Sequence, residues 1–558
     1  MASPCWERFY PPGISADFVP ARETLGAFFI ELVGRHGDRI AIDFNDHPIS
    51  YRRLGALSAR LADGLKQRGI GPGATVALYL PNSPVHPAFF FAVLLTGARV
   101  THLSPLDARR ELAFKCRDSE ACLLVTLDEP PFRDMALRLL GEGAASRLVL
   151  CDEATVFTDR SALMETVLAD RSARPAHVEY VNDLLADTKD TLVAVPVAVD
   201  DAALLQYTGG TTGEPKAAVL THGNLTAATR IYQAWFSNDI NSGPHAIVLA
   251  VLPLFHIMAL VSILLRRFAD GARLVLLRRF EVTKVLTLIS QKRITGLAGV
   301  PTMWIAIANH PGIENHDLSS LQRISSGGAP LAVETHERIR SLTGHGLRGG
   351  WGMTETCAAG TNLPVDMPAG KEGSVGLPLP GLLIDIVDPA QPQRVLRRGD
   401  IGEIRISGPN ICASYWRRPE ETTASRCGGA LLTGDLARMD EDGFIYIVGR
   451  KTDLIVSSGY NVYPLAIENA LLEHPAIAEA VVIGVKDAYR GEAAKAFVVL
   501  HPGQEPFALD DLRLFLGERL GRHEMPQALE FRSDLPKTSV GKYSRKMLRD
   551  EDAANRME

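Results

Sequence analysis

From residue 21 to residue 150 the chain alternates amphipathic stretches with short apolar runs, and no other feature restricts its fold so much. The stretch "ISYRRLGALSARLADGLKQRGI" places Leu54, Leu57, Leu61 and Leu65 at helical spacing and stops at Gly69. "TVALYLP" follows as a buried strand, "AFFFAVLLTGA" as a core helix and "RVTHLSP" as the next strand. A strand–helix–strand rhythm of this kind implies a parallel sheet with helices covering it. It continues through "ACLLVTL", "RLVLC", "RLVLL" and "GLAGVPTM". Residues 154–200 are charged and irregular, which predicts a surface excursion.

Past residue 375 the texture changes. "GLLIDIVD", "GEIRISG" and "GFIYIVGR" are short strands divided by turn signals such as "EDG", so a small β-rich subdomain is expected over 375–450. Beyond "GRKTD" come a helix and a strand in "YPLAIENALLEHPAIAEAVVIGVKD" and a second helix in "DLRLFLGERL". The expected organisation is α/β: a large N-terminal domain over 1–450 and a small α+β domain over 451–558, with the boundary near Arg450–Asp453. A length of 558 residues suits more than one domain.

A net charge of −6 with no long single-sign run argues against a nucleic-acid partner. None of the seven cysteines falls in a CxxC pair, which argues against zinc and suits a reducing cytoplasm. The N-terminus lacks the basic-then-apolar pattern of a signal peptide. The run "IVLAVLPLFHIMALVSILL", Ile247 to Leu265, approaches the length of a membrane span, but Pro253 interrupts it. It reads as a buried strand over Ile247–Leu252, a "PLFH" loop and a buried helix, with peripheral membrane contact left open.

The apolar strand "AALLQY" runs straight into "TGGTTGEPK". Gly209, Gly210 and Gly213 let the backbone turn tightly with its N–H groups inward. Thr208, Thr211 and Thr212 add hydroxyls, and Lys216 adds a positive charge. The set suits a polyphosphate, although no GK[ST] closes it as in a Walker loop. The alternative is a flexible surface turn.

With this loop the chain resembles the acyl-adenylate-forming enzymes, which include acyl-CoA synthetases, luciferases and the adenylation domains of peptide synthetases. The resemblance covers residues 25 to 550 and rests on several motifs in the family's order. It implies that "SSGGAPL" lies against adenine and the acyl pocket, with Gly327, Gly328, Ala329 and Pro330. In "GGWGMTET" it implies a purine stack on Trp351, where the family usually has Tyr, followed by Gly352 and Met353. There Thr354 would contact the α-phosphate, and Glu355 would hold magnesium through a hard oxygen donor. Asp435 and Arg450 would hold the ribose, and Lys542 in "VGKYSRK" would be the catalytic lysine. His256 is either a satisfied core histidine or a gate of the acyl pocket. "SSGYNVYP" resembles the loop that lines the pantetheine tunnel, and Thr452 stands where the family's pivot is usually Lys or Asp.

The implied reaction joins a carboxylic acid to AMP at the expense of ATP with Mg2+, then passes the acyl group to CoA. The closest motif match is to fatty acyl-CoA synthetases, which suggests a medium- or long-chain fatty acid. An aryl acid or a dicarboxylate is the next choice, with Arg266, Arg267 or His256 available to a second carboxylate. The rivals are a ligase loading a carrier-protein pantetheine, a non-catalytic binder of acyl-adenylates and a membrane-embedded protein. A homodimer stays open.

Overall fold

The computed structural model describes residues 4–154, 177–208, 214–327, 333–537 and 543–555. Two sheets dominate the first 330 residues. One has eight strands in the order Ser414–Tyr415, Lys216–Thr221, Ala202–Thr208, Arg99–His102, Thr75–Tyr79, Ala121–Leu127, Leu148–Cys151 and Val178–Tyr180. Its pairings are parallel from Ala202–Thr208 to Val178–Tyr180, and the two pairings that include Lys216–Thr221 are antiparallel. The second runs Arg323–Ser326, Gly296–Gly299, Ile247–Ala250, Arg273–Leu276, Ile40–Phe44, His47–Ser50, antiparallel only at the last pairing.

The helix Tyr51–Gln67 illustrates how local signals fix an element. The Ser50 side chain accepts from Arg53 N, and Gly69 at φ +79° turns the chain away beyond its end. Leu54, Leu61 and Leu65 are buried while Leu57 is half-buried, so the apolar stripe faces the helix Val85–Leu95 and the sheet. Each fully buried leucine contributes about 1.5–3 kcal/mol relative to exposure. The helix Val85–Leu95 is buried on every side, which matches its unbroken apolar run.

Three details depart from the sequence expectations. Within 154–200, Val178–Tyr180 forms the outer strand of the eight-stranded sheet and Val181–Leu185 a short helix. Three residues with Glu179 at their centre carry too little periodicity to be read as a strand. In the apolar run, the strand ends at Ala250, and Ala259–Leu265 winds as a π-helix that continues into an α-turn, Arg266–Ala269. Among the described residues no helix is long and apolar enough to cross a membrane. At the N-terminus, a 3-10 turn over Cys5–Phe9 packs on the β-rich part, with Phe9 against Phe444 and the Tyr10 hydroxyl donating to Pro378 O.

The strands Leu383–Val387, Gly402–Ser407, Arg426–Cys427, Ala430–Met439 and Ile445–Arg450 form one antiparallel sheet. Its buried side joins the core of the preceding residues. From Ile455 onward two further apolar clusters form, one of them with Ile455, Val482 and Leu512 and the other with Val481, Phe497 and Leu548. They pack the helices Pro464–Leu472, Leu509–Leu516 and Arg545–Asn555 against a five-stranded sheet.

Candidate active site

The candidate residues sit on the C-terminal end of the strand Ala202–Thr208, where open α/β sheets bind ligands, on the start of Lys216–Thr221, and on the strands Ala430–Met439 and Ile445–Arg450 of the β-rich part. Thr208 ends its strand opposite Lys216, and its hydroxyl donates to Lys216 O at 3.3 Å. One residue earlier, the Tyr207 hydroxyl donates to Asp118 Oδ2 at 2.8 Å and ties down the strand end. Between Thr208 and Lys216, residues Gly209, Gly210, Thr211, Thr212 and Gly213 lie outside the described residues, as do Gly328, Ala329, Pro330 and Lys542.

Glu355 sits in a 3-10 turn over Thr354–Thr356. The turn is braced from three sides. Asn410 Nδ2 donates to Thr356 O and Ala359 O at 2.7 Å each, the Tyr232 hydroxyl donates to Ala358 O at 2.6 Å, and Cys412 N donates to Glu355 O at 2.7 Å. Cys357 and Ala358 both take left-handed backbone, at φ 48° and 64°, to close it. A Cβ on Gly352 would stand 2.1 Å from Ala358 O, so this position admits glycine alone. The Glu355 carboxylate is 5% exposed, and burial raises it above the usual carboxylate range. Its Oε1 accepts from the Tyr415 hydroxyl at 2.7 Å. The Lys216 ammonium stands 5.0 Å over the same tyrosine ring.

Asp435 lies opposite Arg450 on adjoining strands. The Arg450 guanidinium is 2.6 Å from Oδ1, and the Trp351 indole N–H donates to Oδ2 at 2.8 Å. The indole therefore supplies a donor to this carboxylate besides an aromatic face.

At the end of the Arg323–Ser326 strand, Gly327 N donates to Gly299 O at 3.1 Å, and a Cβ on Gly327 would come within 3.5 Å of Met258 Cε. Trp304, fully buried, donates from Nε1 to Ser325 O at 3.0 Å and braces the end of the Arg323–Ser326 strand. His256 is half-buried, and its Nδ1 accepts from Met258 N at 3.3 Å. The Gln206 side chain fastens this loop by donating to Phe255 O at 3.1 Å, and Asn82 holds it through Leu252 O at 3.0 Å and Leu254 N at 2.8 Å. Arg266 and Arg267 are committed elsewhere. Both are buried, they share Asp270 at 3.6 and 3.9 Å, and Arg266 lies on the Phe236 ring. A second carboxylate would find these arginines already paired.

The structure thus brings Thr208, Lys216, Glu355, Trp351, Asp435 and Arg450 into linked contacts. Tyr415, Gln206, Asn82, Asn410 and Tyr232 join them without having stood out in the sequence. Each belongs to a different segment, and only "YTGG" and "PLFH" beside Gln206 pointed near any of them.

Among the described residues no group of three or more His, Cys, Asp or Glu could hold a metal ion. A buried carboxylate such as that of Glu355 still fits Mg2+, which is commonly held by one or two carboxylates with substrate phosphates.

The AMP-binding enzyme family matches residues 29–416, and the C-terminal domain of AMP-binding enzymes matches residues 466–542. The long-chain-fatty-acid–CoA ligase of Bacillus subtilis is 33% identical over 558 residues, covering 99% of this chain and 98% of that one. The feruloyl-CoA synthase of an Amycolatopsis species is 35% identical over 523 residues, covering 93% and 97%. Among solved structures, ATP-bound MatB from Rhodopseudomonas palustris superposes with a TM-score of 0.80 at 28% identity, covering 94% and 98%. The chain belongs to the AMP-binding enzyme family. Its activity is that of an AMP-forming acyl-CoA ligase, working with ATP, Mg2+ and CoA.

Proposed function

We propose that the acid is a medium- or long-chain fatty acid, activated as its adenylate and transferred to CoA by a cytoplasmic enzyme. The half-buried Met258 beside Gly327 carries this reading, since its thioether offers a hydrocarbon chain contact and no charge to a second polar group. The similarity to the Bacillus subtilis ligase supports it. A reducing cytoplasm is supported by seven unpaired cysteines.

In the first half-reaction the carboxylate oxygen attacks the α-phosphorus and pyrophosphate departs. The barrier is largely charge repulsion, so preorganised cations and amides lower it most. The 208–216 loop, with Lys216, holds the departing phosphates. Thr354 meets the α-phosphate, Trp351 stacks on adenine, and Asp435 with Arg450 takes the ribose hydroxyls. Glu355 is the residue that would hold Mg2+, which supplies charge neutralisation at the phosphates. Lys542 lies between the attacking carboxylate and the α-phosphate. In the second half-reaction the CoA sulfur adds to the acyl carbon, AMP leaves, and the 457–464 loop lines the thiol's approach. His256 borders the acyl chain at the pocket mouth.

A panel of saturated acids of increasing length, ferulate and a dicarboxylate, followed by AMP release with CoA present, tests the reading. Turnover should peak among the longer saturated acids. A maximum on ferulate would replace it with an aryl-acid ligase, in line with the similarity to feruloyl-CoA synthase. Thioester formed only on a carrier protein would make it a carrier-loading ligase. Lys542→Ala should lower pyrophosphate exchange by about 100-fold or more, the scale of a lost electrostatic donor.

A further inference from the structure

Two opposite charges at the phosphate end meet one aromatic ring. The two-residue strand Ser414–Tyr415 pairs antiparallel with Lys216–Thr221, with Tyr415 opposite Ala218. Lys216 and Ala218 share a face of their strand, so the lysine reaches diagonally across to the ring. The phenol points the other way and donates to Glu355 Oε1 at 2.7 Å. The backbone on either side is fixed. Tyr415 N donates to Thr422 Oγ1 at 3.0 Å, and the Trp416 indole donates to Asp118 O at 2.9 Å with the Arg99 guanidinium lying 4.4 Å over its ring.

We propose that Tyr415 is a positioning residue for adenylation: its hydroxyl sets the rotamer of the Glu355 carboxylate toward Mg2+, while its ring face sets the place of the Lys216 ammonium. The proposal rests on the reading of Glu355 and Lys216 given above. A phenol held on one carboxylate oxygen leaves Oε2 outside that bond and limits rotation about the side chain, which is the outer-sphere support that metal-ligating carboxylates use. A cation over the ring is held by the ring's quadrupole without neutralising it, so the ammonium keeps its charge for phosphate. One rigid side chain thereby fixes the separation between the two groups that must straddle the same pyrophosphate.

Tyr415→Phe removes the hydroxyl and keeps the ring; Tyr415→Leu removes both. For the full-length enzyme, Mg2+ half-saturation of pyrophosphate exchange is measured together with KM for ATP. Equilibrium Mn2+ binding in the presence of a non-hydrolysable ATP analogue gives a readout without turnover. Tyr415→Phe should weaken Mg2+ half-saturation and Mn2+ binding by about tenfold, as expected for one hydrogen bond to a charged group, with KM for ATP within about twofold. Tyr415→Leu should raise KM for ATP as well. The proposal is overturned if Tyr415→Phe leaves both metal readouts unchanged, or if it lowers the melting temperature and kcat while metal binding stays as it was. Glu355→Gln serves as the reference. If it leaves Mn2+ binding intact, the underlying assignment of Glu355 fails. If it abolishes binding while Tyr415→Phe does not alter it, the role given to Tyr415 alone fails.

Discussion

Asp435 is held from two directions by protein groups, with Arg450 on one oxygen and Trp351 on the other. In the ribose-binding role proposed for it, a carboxylate fixed in this way loses no rotamer freedom on binding. Trp351→Phe keeps an aromatic face and removes the N–H. Because a hydrogen bond to a charged group contributes about 1.5–3 kcal/mol, KM for ATP should rise roughly tenfold or more. The kcat should change far less, since the contact is made equally in ground and transition states. Steady-state pyrophosphate exchange across ATP concentrations separates the two, and a fall in kcat at constant KM would refute this role. Gly352 yields a second prediction. The Cβ of Gly352→Ala would collide with Ala358 O, so the turn bearing Thr354 and Glu355 must shift. Overpacking of this kind costs about 1–3 kcal/mol. Urea unfolding should report that loss, and the thermal stabilisation that ATP gives the wild type should disappear. An unchanged ATP shift would mean that the backbone absorbs the extra carbon without moving Glu355.

The segment between the two groups of cores has ion pairs on both flanks, and the resemblance implies a pivot there. Lys451 Nζ is 3.1 Å from Glu403 Oε2 on the β-rich sheet. Asp453 is 3.0 Å from Arg549 and 3.7 Å from Arg545, both on the last helix, and Arg545 also pairs with Glu468 at 2.6 Å. Thr452 lies between these anchors, in the 3-10 turn Lys451–Asp453, so the rotation that the resemblance implies would fall chiefly on its backbone. Thr452→Pro fixes φ there. Overall acyl-CoA formation should fall about tenfold while pyrophosphate exchange stays within about threefold, because only passage between the half-reactions needs the hinge. Equal losses in both assays would place the pivot elsewhere. Long elements of this region were legible in the sequence, because the periods of "YPLAIENALLEH" and "AEAVVIGVKD" extend over many residues. Elements of two or three residues were not. Ser414–Tyr415 and Val178–Tyr180 are strands only because a neighbour is there to pair with them, and no local pattern carries that information. The same holds within the site. Lys216 and Glu355 sit in motifs, whereas Tyr415 gains its place from a register between distant segments. The π-winding of Ala259–Leu265 was hidden for another reason, since its apolar run fits an α-helix equally well.

At the scale of the molecule, buried histidines should weaken the fold in acid. His86 and His102 are buried beneath the loop that carries His256, with ring centroids 4.9 Å apart. The Gln206 carbonyl lies 3.1 Å from His102 Nδ1. Burial pushes His102 down to about 4 and His86 well below its ordinary value, and His222, which accepts from Leu25 N at 3.1 Å, also goes down to about 4. Above the ordinary histidine value of about 6.5, neither folded nor unfolded chain is protonated at these sites, and their contribution is constant. As pH falls from there toward 4, the unfolded chain takes up protons that the folded chain refuses. Stability is therefore lost across that window, by up to about 1.4 kcal/mol per pH unit for each histidine. His102→Asn keeps a polar side chain opposite Gln206 and removes one such proton site. Its stability relative to wild type should improve by about 2 kcal/mol between pH 6.5 and pH 5, whatever the offset at neutral pH. All five tryptophans, Trp6, Trp235, Trp304, Trp351 and Trp416, precede Lys451, so fluorescence-detected urea unfolding reports the part of the chain that holds these histidines. Parallel pH profiles for wild type and variant would mean that His102 titrates alike folded and unfolded, and that the acid limit comes from other groups.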